Sequence, residues 1–262
     1  SENVYGTGKI TKEYGVTIYN SEEDSSELKL TSGVVESIYG NAINNEKGST
    51  QIGKVNESTI KPNIKGRINN KSELTTYNGV IDGGITSTGT LTSENGVFNG
   101  EVTISNGVCL IKDGTFNSRV YTGEYSYNDN IPVVVIQGGN FNYYDRCLIN
   151  YNAHLTITSG TFNTEVCFVF NASTVISGGT FNNAVTTEDS ATTTIENGTF
   201  NSTLVFKSSK TNTIENATVN SGSGDAIYCE NCTLNIEDGT FNSASAAALS
   251  IGSGTVNVYD GD

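Results

Sequence analysis

Three glutamates stand at one place in successive copies of a short repeat: Glu196, Glu215 and Glu237, each two positions before a glycine or the alanine that replaces it. One position later the same copies read Asn197, Asn216 and Asp238. If the copies lie over one another, three carboxylates stack at the spacing of neighbouring strands, which costs free energy unless water screens the charge or a cation bridges it. Ca²⁺ accepts such oxygen ligands at about 2.3–2.6 Å. A Ca²⁺ site at Glu196, Glu215 and Glu237 is one expectation, and a solvated acidic face is the other. A second concentration of chemistry is aromatic. Tyr121, Tyr125, Tyr127, Tyr143, Tyr144 and Tyr151 crowd one segment together with Arg119 and Arg146, two of the chain's three arginines. Rings and planar donors are what a glycan-binding or protein-binding patch needs, although a long loop also uses rings to hold itself down.

The remaining reactive groups are sparse. The one histidine, His154, sits in Asn152-Ala-His154-Leu-Thr beside a turn and reads as a corner side chain, not a base. Five cysteines occur, at 109, 147, 167, 229 and 232. Cys229-x-x-Cys232 lacks the second pair of a zinc site and suits a local disulfide. Cys147 and Cys167 occupy similar places in adjacent copies, so they can bridge or remain as buried thiols. No catalytic residue is expected, and no cofactor beyond the Ca²⁺ alternative.

Composition restricts the classes further. The 262 residues include 29 Gly and 2 Pro, with no Met or Trp, and are rich in Thr, Asn, Ser, Ile and Val, a β-sheet vocabulary. Lys plus Arg is 14 against 28 Asp plus Glu, a net charge of −14, which repels a nucleic-acid backbone. No stretch has the length of an apolar membrane span. The chain opens on Ser1 with no secretory signal after it, as expected of a processed or excised piece.

The elements that must position these groups repeat. Gly-x-aromatic-Asn recurs as Gly96-Val-Phe98-Asn99, Gly114-Thr-Phe116-Asn117, Gly139-Asn-Phe141-Asn142, Gly160-Thr-Phe162-Asn163, Gly179-Thr-Phe181-Asn182, Gly198-Thr-Phe200-Asn201 and Gly239-Thr-Phe241-Asn242, with Ala217-Thr-Val219-Asn220 as a degenerate copy. The aromatic or valine position steps by 18, 25, 21, 19, 19, 19 and 22 residues, and the step of 25 carries Tyr121, Tyr125 and Tyr127, with Tyr143, Tyr144 and Tyr151 following it. Before each glycine runs a short alternating strand such as Leu155-Thr-Ile157-Thr or Thr193-Thr-Ile195-Glu. About twenty residues cannot bury an apolar face alone, but stacked copies make a continuous core. Stacking predicts an aliphatic ladder at Ile157, Ile176, Ile195, Ile214 and Ile236. It predicts an aromatic ladder at Phe116, Phe141, Phe162, Phe181, Phe200 and Phe241. A third ladder is expected at Asn142, Asn163, Asn182, Asn201, Asn220 and Asn242, where asparagine both tolerates a left-handed corner and bonds its neighbours' amides. Thr156, Thr174 and Thr193 suggest a flat threonine face, which Glu196 and Glu215 interrupt.

These ladders, with coils of variable length and asparagine at a tight turn, resemble the right-handed parallel β-helix of the pectate-lyase-like superfold. The Gly-Gly-Thr-Phe-Asn wording is similar to repeats of bacterial surface adhesin-like proteins. The resemblance implies an all-β, right-handed β-solenoid of about 12 coils of 18–25 residues. Residues 61–262 form its regular part, continuing past the last residue, and residues 1–60 form irregular N-terminal coils or a cap. It implies a secreted or cell-surface structural or adhesive role as a stalk, display surface or filament subunit, with a host or environmental glycan or protein as partner, or end-to-end self-association. The alternative is a polysaccharide-active lyase or hydrolase, or a tailspike-like glycan binder.

Overall fold

The computed structural model describes residues 3–4, 8–20, 26–55, 61–125 and 130–259. Among them every regular element is a β-strand, and no helix is long and apolar enough to cross a membrane. The strands coil into a parallel β-solenoid of about 11 turns, close to the dozen expected from the repeat count.

Each regular turn contributes one strand to each of three walls. The first wall is a 13-stranded parallel sheet that includes Val133–Ile136, His154–Ile157, Ser173–Ile176, Thr192–Ile195 and Thr211–Ile214. The second is built from two-residue strands such as Thr161–Phe162, Thr180–Phe181 and Thr199–Phe200. The third contains Val120–Thr122, Arg146–Asn150, Glu165–Phe168, Val185–Asp189 and Leu204–Ser208. The second and third walls count as one 22-stranded sheet because the long strands Val34–Asn45 and Asn63–Asn70 run through the corner between them. Strands this short are stable only because each pairs with its counterpart in the coils before and after it.

Alternation decides what faces inward. In the first wall Ile136, Ile157, Ile176, Ile195, Ile214 and Ile236 lie in exact register and are buried. In the second wall Phe98, Phe116, Phe141, Phe162, Phe181 and Phe200 stack face to face, with ring centroids 4.5, 4.7, 4.6, 4.7 and 4.8 Å apart. The strand spacing of about 4.8 Å dictates this geometry, and it lies within the range in which ring pairs attract. Phe241 shares the column, but its neighbour is Val219 and it is only partly buried, so it does not extend the ring stack.

The asparagine ladder forms on the outside of the same wall. Asn117 donates to the Oδ1 of Asn99 at 2.9 Å, Asn142 to Asn117 at 3.4 Å, Asn163 to Asn142 and Asn182 to Asn163 at 2.7 Å, Asn201 to Asn182 at 2.8 Å, and Asn242 to Asn220 at 3.1 Å. All these bonds run toward the preceding coil, and the row ends where Asn99 donates 2.8 Å to the Asp82 carboxylate, an anion at the positive end of the aligned amides. The expected left-handed backbone is not found at these asparagines. Positive φ falls on the preceding glycines, for example Gly160 at 126°, and among non-glycine residues on Phe170, Asp189 and Asn231. Glycine reaches that region without a Cβ penalty, so the turn is made before the asparagine is reached. The threonine grouping is corrected as well. Thr174 and Thr193 lie in the inward column of Leu155 and are buried, whereas Thr156 belongs to an outward column with Val175 and Thr194.

Two adjacent side chains on one short strand should therefore separate core from surface. Phe181→Ala leaves a cavity in the ring stack and should cost about 3–5 kcal/mol in denaturant unfolding. Asn182→Ala removes exposed amide bonds and should cost about 1 kcal/mol. Equal losses would show that the ring stack is not the core.

Candidate functional site

Among the described residues a second buried apolar cluster forms outside the main core, on the coil of the 25-residue step from Phe116 to Phe141 and the two coils that follow it. The pairing of Arg146–Asn150 with Glu165–Phe168 is irregular between Arg146 and Leu148, and the bulge turns Cys147 into the core. The outward column of the third wall then reads Tyr121, Ile149, Cys167 and Thr186. Ile149, Cys167 and Val169 form a small buried cluster with Tyr121 and Tyr151 packed against it. Tyr121 stacks on Tyr151 at 5.9 Å, Tyr125 meets Tyr151 edge-on at 5.9 Å, and Tyr125 leans on Phe170 at 4.7 Å.

Arg119 organises the neighbouring edge. Its Nη1 donates to the Tyr121 hydroxyl at 2.6 Å, its Nη2 to Asp145 at 2.5 Å, and its Nε to the Arg146 carbonyl at 3.0 Å. The guanidinium also lies 4.9 Å from the Tyr143 ring centre and 5.4 Å from that of Tyr121. Burial opposes its charge, but the Tyr121 hydrogen bond and the nearby Asp145 outweigh that and hold its pKa above the usual arginine value. Arg146 pairs with Glu165 at 3.4 Å, and Glu165 also accepts from the Thr186 hydroxyl at 3.3 Å. Both arginines thus brace the surface rather than offering open forks to a ligand. The rings that remain available are Tyr125, 68% exposed, and Tyr144, 84% exposed, the latter tilted against Tyr143 at 4.5 Å. The structure brings together Tyr121, Tyr125, Tyr143, Tyr144, Arg119 and Arg146 on this coil and its neighbours, and Tyr127 lies outside the described residues.

Glu196, Glu215 and Glu237 occupy the equivalent place in successive coils, their amides donating to the carbonyls of Ile176, Ile195 and Ile214. All three are exposed, and among the described residues no group of three His, Cys, Asp or Glu side chains is placed to hold a metal ion. In the next column Asn197 and Asp238 fold back onto the amides of Gly198 and Gly239 at 2.7 and 2.6 Å and cap the turn. The geometry is that of a solvated acidic ridge. His154 is an exposed first-wall residue beside Val133 and Ser173.

Cys229 and Cys232 form a disulfide across the corner between the third and first walls. Cys147 and Cys167 do not bridge, because the bulge places Ile149, not Cys147, opposite Cys167 and the two thiols end on opposite sides of the wall. Burial pushes the Cys109 and Cys167 thiols up to about 12 and raises that of Cys147.

Two groups escape a reading based on Gly-x-Phe-Asn. Asn20, Asn45 and Asn70 form a buried ladder inside the third wall, with Asn20 donating to Asn45 at 2.9 Å, Asn45 to Asn70 at 2.7 Å and Asn70 to Ser87 at 2.9 Å. Their second N–H groups tie the corner to the carbonyls of Ser49, Glu73 and Thr90. Tyr14 and Tyr39 stack at 5.1 Å on the surface beside exposed Ile38. The available signal was a common step: Tyr14 to Tyr39, Asn20 to Asn45 and Asn45 to Asn70 are each 25 residues apart. Comparisons of the chain with protein-family models, with curated proteins and with solved structures find no match in any of the three.

The thiol assignments yield a chemical test. With a pKa near 12, only about one Cys109 or Cys167 in 10⁵ is thiolate at pH 7. Native protein should therefore take up almost no iodoacetamide at neutral pH, with the rate rising as pH increases. Denatured protein should take up three labels, and five after reduction, read by intact mass.

Proposed function

We propose that the chain is an extracellular or cell-surface adhesive rod, a right-handed β-solenoid of the adhesin-like repeat kind that its wording resembles, carrying its contact surface on the tyrosine-rich coils between Phe116 and Phe181. The observation that carries this reading is the outward cluster of Ile149, Cys167 and Val169, sheathed by Tyr121 and Tyr151, with Tyr125 and Tyr144 held out to solvent. Aromatic side chains present large amphipathic area at low entropic cost, which makes them effective anchors in binding surfaces. A rigid wall in register beneath them removes much of the ordering cost of binding.

Other features support the same role. A disulfide between Cys229 and Cys232 suits an oxidising compartment. Single continuous core columns suit a stalk or display surface. Incubation with polysaccharides tests the rival enzymatic reading, since unsaturated products or new reducing ends would replace adhesion with catalysis.

Tyr125→Ala with Tyr144→Ala should lower binding to the target surface or glycan array by at least about tenfold, the loss of one anchor-sized contribution. The melting temperature should hold, because both rings are exposed. Unchanged binding would remove this patch from the function.

A further inference from the structure

A groove opens at the corner between the first and second walls, and it lies where the acidic ridge is interrupted. Its floor is main chain at Gly139, Gly160 and Gly179, and its side is the outward column Asn140, Thr161 and Thr180. Gly160 is at φ 126°, a backbone conformation that favours glycine, and a Cβ there would lie 3.4 Å from the Gly139 carbonyl and the buried Phe162 ring. The rim explains the location. The position that carries Glu196, Glu215 and Glu237 in later coils carries Gln137, Thr158 and Ser177 here, and the next position carries Gly138, Ser159 and Gly178 where other coils have Asp113, Asn197 or Asp238.

Beyond the threonine column lie Asn142, Asn163 and Asn182, each spending one N–H on the ladder and keeping a second N–H outside it. Tyr143 and exposed Tyr144 follow Asn142 directly. Across all eight copies, from Gly96 to Ser243, the five residues that begin at the repeat glycine or its alanine replacement include none of the chain's charged residues, in a protein of net charge −14. The groove therefore offers hydroxyls, amide N–H groups and peptide groups, repeated at each coil, with no charged side chain in its lining; the same rim column carries Lys112, paired with Glu94 at 2.7 Å, on the coil before it and Glu196 on the coil after it.

We infer that this groove binds an uncharged, hydroxyl-rich chain, a neutral oligosaccharide lying along the solenoid axis with a terminal ring near Tyr144. This names the ligand class of the adhesive reading and rests on it. Hydroxyls of such a chain donate to and accept from the Thr161 and Thr180 hydroxyls and donate to the second lone pairs of the floor carbonyls, whose first lone pairs accept the ladder N–H groups of Thr161, Thr180 and Thr199, and successive sugar units meet equivalent groups on successive coils. Individually weak bonds become one binding event when a single chain spans several coils. Acidic polysaccharides are disfavoured by the surrounding carboxylates, and a neutral ligand has no counterion to release, so its affinity is insensitive to salt.

The test is calorimetry of the full chain with neutral hexasaccharides (cello-, manno-, xylo- and maltohexaose) and with hexagalacturonate, for the parent and for Thr161→Val/Thr180→Val. Valine already occupies this column at Val80 and Val97, so the variant deletes two hydroxyls without changing the wall. The expected result is salt-independent binding of at least one neutral hexasaccharide and none of hexagalacturonate, with at least about a tenfold loss in the variant at an unchanged melting temperature. Binding that the variant does not weaken, preference for hexagalacturonate, or failure of every neutral hexasaccharide would overturn the assignment. Adhesion of the intact chain is measured in parallel: adhesion that persists without neutral-sugar binding removes the groove alone, whereas loss of both removes the adhesive reading as well.

Discussion

A parallel coil returns each residue to a point one strand spacing, about 4.8 Å, above its counterpart, so every column must be built from groups compatible with copies of themselves. This constraint selects the composition of the walls. Isoleucine satisfies it by interdigitating, phenylalanine by lying flat on the ring beneath, and asparagine by carrying both a donor and an acceptor, so that each amide completes the next. A column of like charges does not satisfy it, so carboxylates lie outside the core, either at exposed corners or in wall columns opposite a cation, as Glu165 opposite Arg146 and Glu188 opposite Lys207. The ridge of Glu196, Glu215 and Glu237 is tolerated because it is exposed, and in the alignment of the amide ladder onto Asp82 a carboxylate completes a column.

The same constraint explains how far the architecture was legible in the residues. Ile157, Ile176 and Ile195 recur in a strand pattern, Phe162, Phe181 and Phe200 in another, and their strict spacing makes the stacking readable in the residues themselves. The buried Asn20, Asn45 and Asn70 ladder obeys an equally strict step but lacks the Gly-x-Phe-Asn wording, so it escaped. The assignment of left-handed backbone to the asparagines failed because two residue types in one motif can each make a turn, and composition does not say which does. Glycine bears no Cβ penalty and wins that competition, leaving asparagine free for its hydrogen bonds.

The candidate site was legible as a crowd of residues but not as an arrangement. That Tyr121, Tyr143, Arg119 and Arg146 share a neighbourhood follows from one long step in the repeat. That Arg119 is spent on Tyr121, Asp145 and a carbonyl, while Tyr125 and Tyr144 project, depends on the bulge between Arg146 and Leu148. One extra residue in a strand exchanges inside for outside, and this exchange sent Cys147 into the core, put Ile149 opposite Cys167, and made a second apolar cluster out of residues that regular alternation would have distributed differently. No spacing rule applied to Cys147 and Cys167 could have shown that they face opposite ways.

Specialised surface in such a molecule must come from departures from the repeat, because a perfectly regular wall offers the same weak contact everywhere. Two kinds of departure occur here, with opposite energetic characters. The tyrosine-rich coils bury Ile149, Cys167 and Val169 beneath Tyr121 and Tyr151 on the outside of the wall, so these rings are held by contacts the core does not need. The groove arises by subtraction: bulky and acidic rim residues are missing over three coils while the ring stack beneath, Phe141 to Phe181, continues with spacings of 4.6 and 4.7 Å. In both places the inward columns carry stability and the outward ones are released from it. Because stability in a solenoid is a sum of neighbouring-coil terms, a change confined to an outward column costs little beyond its own contacts. The coil is therefore a scaffold on which binding surface can vary independently of the fold, and the uncharged Thr–Asn face and the tyrosine patch share one coil without competing for the same core.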